Sequence, residues 1–417
     1  MKKTVAIALL TIFALPLFAA NDAMLSYYQR QAVTQGRNAK QDRMFASALA
    51  RDVASWVRTN ETSPEIKTAL LMQADYHLRA QEYAQALLAV YQVRFYFPST
   101  QDISLLSSHI ETIMDKLNRG QKAEALKLLA VDTSGIEALD GRKATLLISL
   151  VRSQLEDIYE PVCALFEDFF EQYPQYTQTD KILLMYGDWH RQNNNFLAAV
   201  LEYQKVYELY PGTVYKAASL RMTADVYASN LKEYEMAANL YEQVLKQYPD
   251  SAERGTVYKH LAMMQENRKE YESALAYYDK AIKELAGQPT VAEAWQGKAD
   301  VLAKTKQYRA AYNTLLQGAE TVSSAEASYV AMLSQAAEVA NRRLKEPALE
   351  TAALEKILLA YPQTHQAPKF MYEAAIAYEK QEKQPKAIEL YKRIIIHYPT
   401  DKYAGKAQSR LGRLERD

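Results

Sequence analysis

An all-α solenoid of helix-turn-helix repeats is the fold class this chain predicts, and three observations carry it. Aromatic-proline pairs recur at Phe97-Pro98, Tyr173-Pro174, Tyr210-Pro211, Tyr248-Pro249, Tyr361-Pro362 and Tyr398-Pro399. The prolines lie 37 residues apart from 174 to 211, 38 from 211 to 249 and 37 from 362 to 399, and the gaps of 76 and 113 are about two and three periods. A fixed period of this length marks stacked supersecondary units. Each period holds two amphipathic helical stripes. In the last, Met371, Ala374, Ala375 and Tyr378 recur at helical spacing, followed by Ala387, Tyr391 and Ile394, until Pro399 ends the second helix for want of an amide proton. Composition agrees: 12 of 417 residues are glycine, under half the ~7% of ordinary proteins and too few for the turns of sandwiches and barrels.

The chain opens on MKKTVAIALLTIFALPLFAA, where Lys2 and Lys3 precede an apolar run from Val5 to Leu15, Pro16 and the small residues Ala19 and Ala20. This is the layout of a secretory signal peptide. A membrane anchor needs roughly 20 apolar residues, and Pro16 interrupts this run. Residues 1–20 are therefore expected to be removed, and the short basic start suits export to the periplasm of a Gram-negative bacterium. The lone cysteine, Cys163, is far from that cut and offers no lipid anchor there, and no later apolar stretch reaches spanning length. Residues 21–64 read as an N-terminal helical cap with a helix near Asp42 to Thr59. Residues 65–399 read as about nine repeats, clearest at 180–323 and 368–399, and 400–417 as a capping helix near Lys402 to Arg416. Three units depart from the pattern: 105–136 keeps only apolar helical spacing, 143–174 has Val162 at an alanine slot, and 331–362 has Leu349-Glu350 there.

The pattern resembles the tetratricopeptide repeat, whose 34-residue motif places large, small, aromatic and alanine-like residues at these offsets. Leu183, Gly187, His190, Ala199, Tyr203, Val206 and Pro211 fit one unit; Leu220, Ala224, Tyr227, Ala237, Tyr241, Val244 and Pro249 fit the next with one extra residue between helices. Tyr258, Ala262, Ala274, Tyr278 and Ala281 follow, then Trp295, Ala299, Leu302, Ala311 and Leu315. The Tyr-Pro endings are similar to those of bacterial envelope repeats, including the Tol-Pal assembly protein and the outer-membrane-protein assembly lipoprotein. The resemblance implies a right-handed superhelix that binds a protein or peptide in a groove lined by the first helix of each unit. Counted along the repeat, Arg221, Asp225, Lys259, Glu266, Gln296 and Asp300 are expected to face that groove as solvated charged and polar groups.

Little else in the sequence points to chemistry. Lysine plus arginine and aspartate plus glutamate each number 50, so no net field gathers nucleic acid or anionic lipid. Cys163, as the lone cysteine, excludes an intrachain disulfide and a multi-cysteine zinc site, and its apolar neighbours suggest a buried small hydrophobe. The six histidines, 77, 109, 190, 260, 365 and 397, are scattered, and His77 and His190 fall at a packing slot of the repeat. No glycine-rich phosphate loop or hydrolase elbow appears. The 31 tyrosines are the one odd number; Tyr203, Tyr241, Tyr278 and Tyr391 share one slot, which points to packing first. The expected function is a non-enzymatic, cofactor-free, exported scaffold for envelope proteins. The alternative is a periplasmic module that binds peptidoglycan or exported polysaccharide.

Overall fold

The computed structural model describes residues 17–415 apart from 35, 37, 100–105, 154 and 323–325. The expected export segment, 1–20, lies outside the described residues except for 17–20, which open the first helix. The chain is all-α and divides after Tyr215 into two compact units.

The first unit holds α1 (Leu17–Gln31), α2 (Ala39–Thr59), α3 (Ile66–Ala80), α4 (Tyr83–Tyr96), α5 (Ser107–Met114), α6 (Arg119–Leu129), α7 (Leu139–Arg152), α8 (Tyr159–Gln172), α9 (Thr179–Gln192) and α10 (Phe196–Leu209). Asn38 caps α2 by accepting from the Gln41 amide, and Asn118 and Gln121 form a reciprocal capping box on α6. Most helices pack on the ones before and after, but α4 packs directly on α7, so the α5–α6 pair adds no full layer between them. Its sequence explains this: α5 buries only Ile113, and α6 only Ala125 and Leu128, too little apolar surface to hold a layer of the stack.

The second unit holds α11 (Lys216–Val226), α12 (Tyr234–Gln247), α13 (Arg254–Asn267), α14 (Tyr271–Glu284), α15 (Val291–Lys304), α16 (Tyr308–Thr321), α17 (Glu326–Val339), α18 (Pro347–Ala360), α19 (Ala367–Glu379), α20 (Gln384–His397) and α21 (Lys402–Leu414). Here each helix packs on its chain neighbours, the arrangement of a solenoid. The residues beyond the 34 of the motif sit between repeats, in connections such as 210–215, 248–253, 285–290 and 361–366.

Within a pair, the turn between the helices is built the same way almost throughout. A non-glycine residue adopts the left-handed conformation at Gln81, Asn194, Lys232, Lys269, Lys306, Lys345 and Glu382. In five of these turns the following amide bonds back five residues, as in Glu270 to the Gln265 carbonyl and Gln307 to the Leu302 carbonyl. At Lys232 and Lys345 the helix first widens into a π-turn, Tyr227–Leu231 and Ala340–Leu344. Glu233 then bonds to the Tyr227 carbonyl and Glu346 to that of Ala340, six residues back. The extra residue expected between the helices at 231–233 is therefore absorbed inside the last turn of the first helix.

The second π-turn sits over a buried acid. Glu350 is 4% exposed; its Oε1 accepts from Asn341 Nδ2 at 2.9 Å and its Oε2 has no partner among the described residues. Burial pushes its carboxyl up to about 7, against the opposing pull of the Lys380 ammonium. Because the folded value lies above the unfolded 4.5, the carboxyl's contribution is complete below pH 4.5 and is lost as pH rises towards 7. Glu350→Gln is expected to raise stability by about 1–3 kcal/mol at pH 8, an advantage that vanishes near pH 4.5. Urea titrations at both pH values check this; equal gains at the two would refute it.

Candidate functional site

The shared tyrosine slot lies in the core of four repeats. Tyr203, Tyr241, Tyr278 and Tyr391 are at most 2% exposed, and each hydroxyl donates to a carboxylate on the first helix of its own pair. The acceptors are Asp188 at 2.7 Å, Asp225 at 2.6 Å, Glu266 at 2.9 Å and Glu379. A Cβ at Gly187 or Gly297 would overlap the rings of Tyr203 or Tyr278, so these glycines let aromatic ring and helix backbone meet. Five more tyrosines, Tyr83, Tyr159, Tyr234, Tyr271 and Tyr308, open second helices. Four of the 31 tyrosines are thus core residues, and five more mark the starts of second helices, where they are half-buried except for the exposed Tyr234.

The structure corrects the solvated state expected of the first-helix residues. Arg221 donates from Nε to Glu253 at 2.5 Å and also pairs with Asp225, and its side chain is 18% exposed. Asp225 in turn meets His260 Nδ1 at 2.5 Å and accepts from Tyr241. Burial works to raise the Asp225 carboxyl, but the contacts with His260, Arg221 and Tyr241 outweigh it and hold the group below the usual range. Lys259 is buried and pairs with Glu293 at 2.5 Å. Glu266 accepts from Tyr278 and pairs with Lys304 at 2.6 Å. These side chains are close enough to the backbone of the stack to reach the next repeat, and they fasten repeat to repeat. Asp300, by contrast, is exposed and accepts from Gln335 at 2.6 Å, and Gln296 is partly exposed.

Along the same face, an open depression of about 650 Å³ lies on α17 and the segment before α19. Ala331 and Gln335, which line it, occupy the register positions of Gln296 and Asp300 one repeat on. Ala327 and Ser334 complete a small-residue floor, with Glu338 and Gln366 beside it.

The first unit contains a feature the repeat register does not anticipate, a recess of about 470 Å³ between α2, α3, α4, α7 and α8. One wall is made by the end of α2 meeting the end of α8: Tyr173 donates to Glu61 at 2.8 Å, Arg58 faces Asp168 at 3.9 Å, and Lys143 pairs with Glu61 while donating to Gln172 at 2.9 Å. The Lys143 ammonium lies 5.3 Å from the Tyr96 ring centre and 5.2 Å from that of Tyr173, within cation-π range. No local sequence signal announces this recess, because its walls come from segments about 110 residues apart.

His77, His190 and Cys163 serve packing. His77 and His190 are buried; burial pulls the His190 imidazole down to about 4, and Tyr159 bonds its Nδ1 at 2.8 Å. Cys163 is buried and its thiol is pushed up by that burial. Among the described residues no group of three or more His, Cys, Asp or Glu side chains is placed to hold a metal, and no helix is long and apolar enough to cross a membrane.

Family models of the tetratricopeptide repeat match residues 221–289 and 370–401, so α11–α14 and α19–α20 are tetratricopeptide repeats. Among solved structures, the chain is similar to the C-terminal part of a tetratricopeptide repeat-containing protein from Cytophaga hutchinsonii, at 16% identity and a TM-score of 0.44, over 64% of this chain and 98% of that one. It is also similar to PilF of Pseudomonas aeruginosa (13%, TM-score 0.37, 55% and 97% covered) and to a tetratricopeptide repeat protein from Parabacteroides merdae (15%, 0.36, 66% and 100%). No curated protein matches the sequence.

Proposed function

We propose that this tetratricopeptide repeat protein is an exported scaffold that holds a protein or peptide partner in the bacterial periplasm or cell envelope, through the first-helix face of its second unit. The depression on α17 supports this reading. Ala327, Ala331 and Ser334 leave room for a partner's side chain, while Glu338, Gln366 and the Oε1 of Gln335, whose Nε2 is taken by Asp300, offer groups that pair with its backbone. Asp300 and Gln296 extend the surface into the preceding repeat, as stacked units align equivalent positions. Arg221, Asp225 and Lys259 set the spacing of the repeats beneath a partner. The export half of the proposal rests on the order of residues 1–20.

A photo-crosslinking amino acid at Ser334 is expected to trap a partner in envelope extract, whereas the same group at Leu359, 86% exposed on the second helix, is expected to trap none. The opposite pattern would move the function to the other face. N-terminal sequencing of the protein from the periplasmic fraction should give Ala20 or Asn21; an intact Met1 in the cytosol would overturn export.

A further inference from the structure

We propose that the recess of the first unit binds a small amphipathic anion, an apolar body ending in one carboxylate or phosphate group. Its size of about 470 Å³ falls in the range of pockets that enclose small ligands. Its lining is largely apolar: Ile66, Leu88, Leu147 and Phe169 are all buried side chains that contribute surface to it, joined by Leu139 and Leu165. An apolar chain placed there gains the hydrophobic free energy that water in the recess forgoes.

The charges of the recess do not balance internally. Its two carboxylates are engaged, Glu61 by Lys143 and Asp168 by Arg58. Arg51 and Arg142 also line it and have no carboxylate partner among the described residues. Arg142 donates through one terminal nitrogen to the carbonyls of Ile136 at 3.0 Å and Glu137 at 2.8 Å, and its Nε is buried without a partner. Arg51 is exposed and makes no hydrogen bond or ion pair among the described residues. Two guanidiniums beside an apolar hollow therefore lack an oxyanion, and a guanidinium fork suits carboxylate or phosphate alike.

A peptide would be matched less well. Each of its residues brings an amide and a carbonyl to be paired, yet Gln85 is already donating to the Asp157 carbonyl at 3.0 Å, and Gln172 accepts from Lys143 and donates to the Arg58 carbonyl at 3.4 Å. Gln73 also lines the recess, but the charge left without a counter-charge is positive and is carried by Arg51 and Arg142, as an anionic head group on an apolar tail requires. This site lies in the first unit, so its failure leaves the proposal for the α17 face untouched.

Isothermal titration of the full chain tests it with decanoate, decyl phosphate, decan-1-ol and an acidic, apolar tripeptide. Decanoate or decyl phosphate is expected to bind, and whichever binds tighter identifies the head group. Decan-1-ol should bind at least about ten-fold more weakly, and Arg51→Gln, an exposed change that leaves the fold intact by circular dichroism, should weaken the anion about ten-fold. Equal binding of decan-1-ol, no binding by either anion, or undiminished binding by the Arg51→Gln protein would overturn the proposal. Tighter binding of the tripeptide would also overturn it and make the recess a peptide site.

Discussion

Replacing Arg221 with alanine is expected to destabilise the second unit by about 3–5 kcal/mol, the cost of removing one partner from a buried charge network. The guanidinium holds Asp225 on its own helix and Glu253, which begins the next first helix, α13. Without it two carboxylates, with side chains 17% and 28% exposed, keep their charges and lose their cation. Arg221→Lys should recover only part of the loss, since an ammonium is a point charge and cannot present the same fork to two acids. Hydrogen exchange should show the greatest loss of protection across residues 216–284 and less in later repeats. Unchanged urea midpoints for Arg221→Ala would mean that these pairs are solvated and idle, as exposed pairs usually are.

Tyr203→Ala is the second large effect, expected at about 3–5 kcal/mol in the first unit. The ring is fully buried and lies against α9 at Gly187, and its hydroxyl is bonded to Asp188. Tyr203→Phe keeps the ring and loses only the hydrogen bond, so about 1–2 kcal/mol is expected. Gly187→Ala brings a methyl into the ring and should cost about 1–3 kcal/mol, even though alanine is the better helix former. Chemical denaturation of the three variants checks the order. If Tyr203→Ala were as mild as Tyr203→Phe, the ring would contribute little and the shared slot would not be the core of the repeat.

The repeat was legible because it is local. Tyr210-Pro211 and Tyr248-Pro249 end helices, Ala237 and Tyr241 fall on one stripe, and such relations need only the helical period. The depression on α17 was not legible in the sequence, in which 331–362 departs from the motif, although Ala331 and Gln335 repeat the positions of Gln296 and Asp300. The pairing of Arg221 with Glu253 was not legible: spacing places both residues on neighbouring helices, but only the closeness of successive repeats turns a solvated face into a seam. The recess was hidden for a deeper reason. Glu61 and Tyr173, or Arg58 and Gln172, meet because the α5–α6 pair leaves α4 against α7, a consequence of how few apolar residues α5 and α6 bring.

That same meeting of α2 with α8 sets how the two units acquire their structure. The hydrogen bonds from Tyr173 to Glu61 and from Gln172 to the Arg58 carbonyl close loops of 112 and 114 residues. Links in the second unit run between adjacent repeats, 31 residues apart for Arg410 and Glu379 and 39 for Lys380 and Asn341. Loop-closure entropy is spent before a distant contact repays it. The second unit can therefore nucleate at any pair of helices and zip outward, while the first completes its wall only after α8 has formed. On a ribosome that builds from the N-terminus, α2 can pack on α3 early but waits through more than a hundred residues of synthesis for Tyr173 and Gln172, and the recess cannot close before α8 is made.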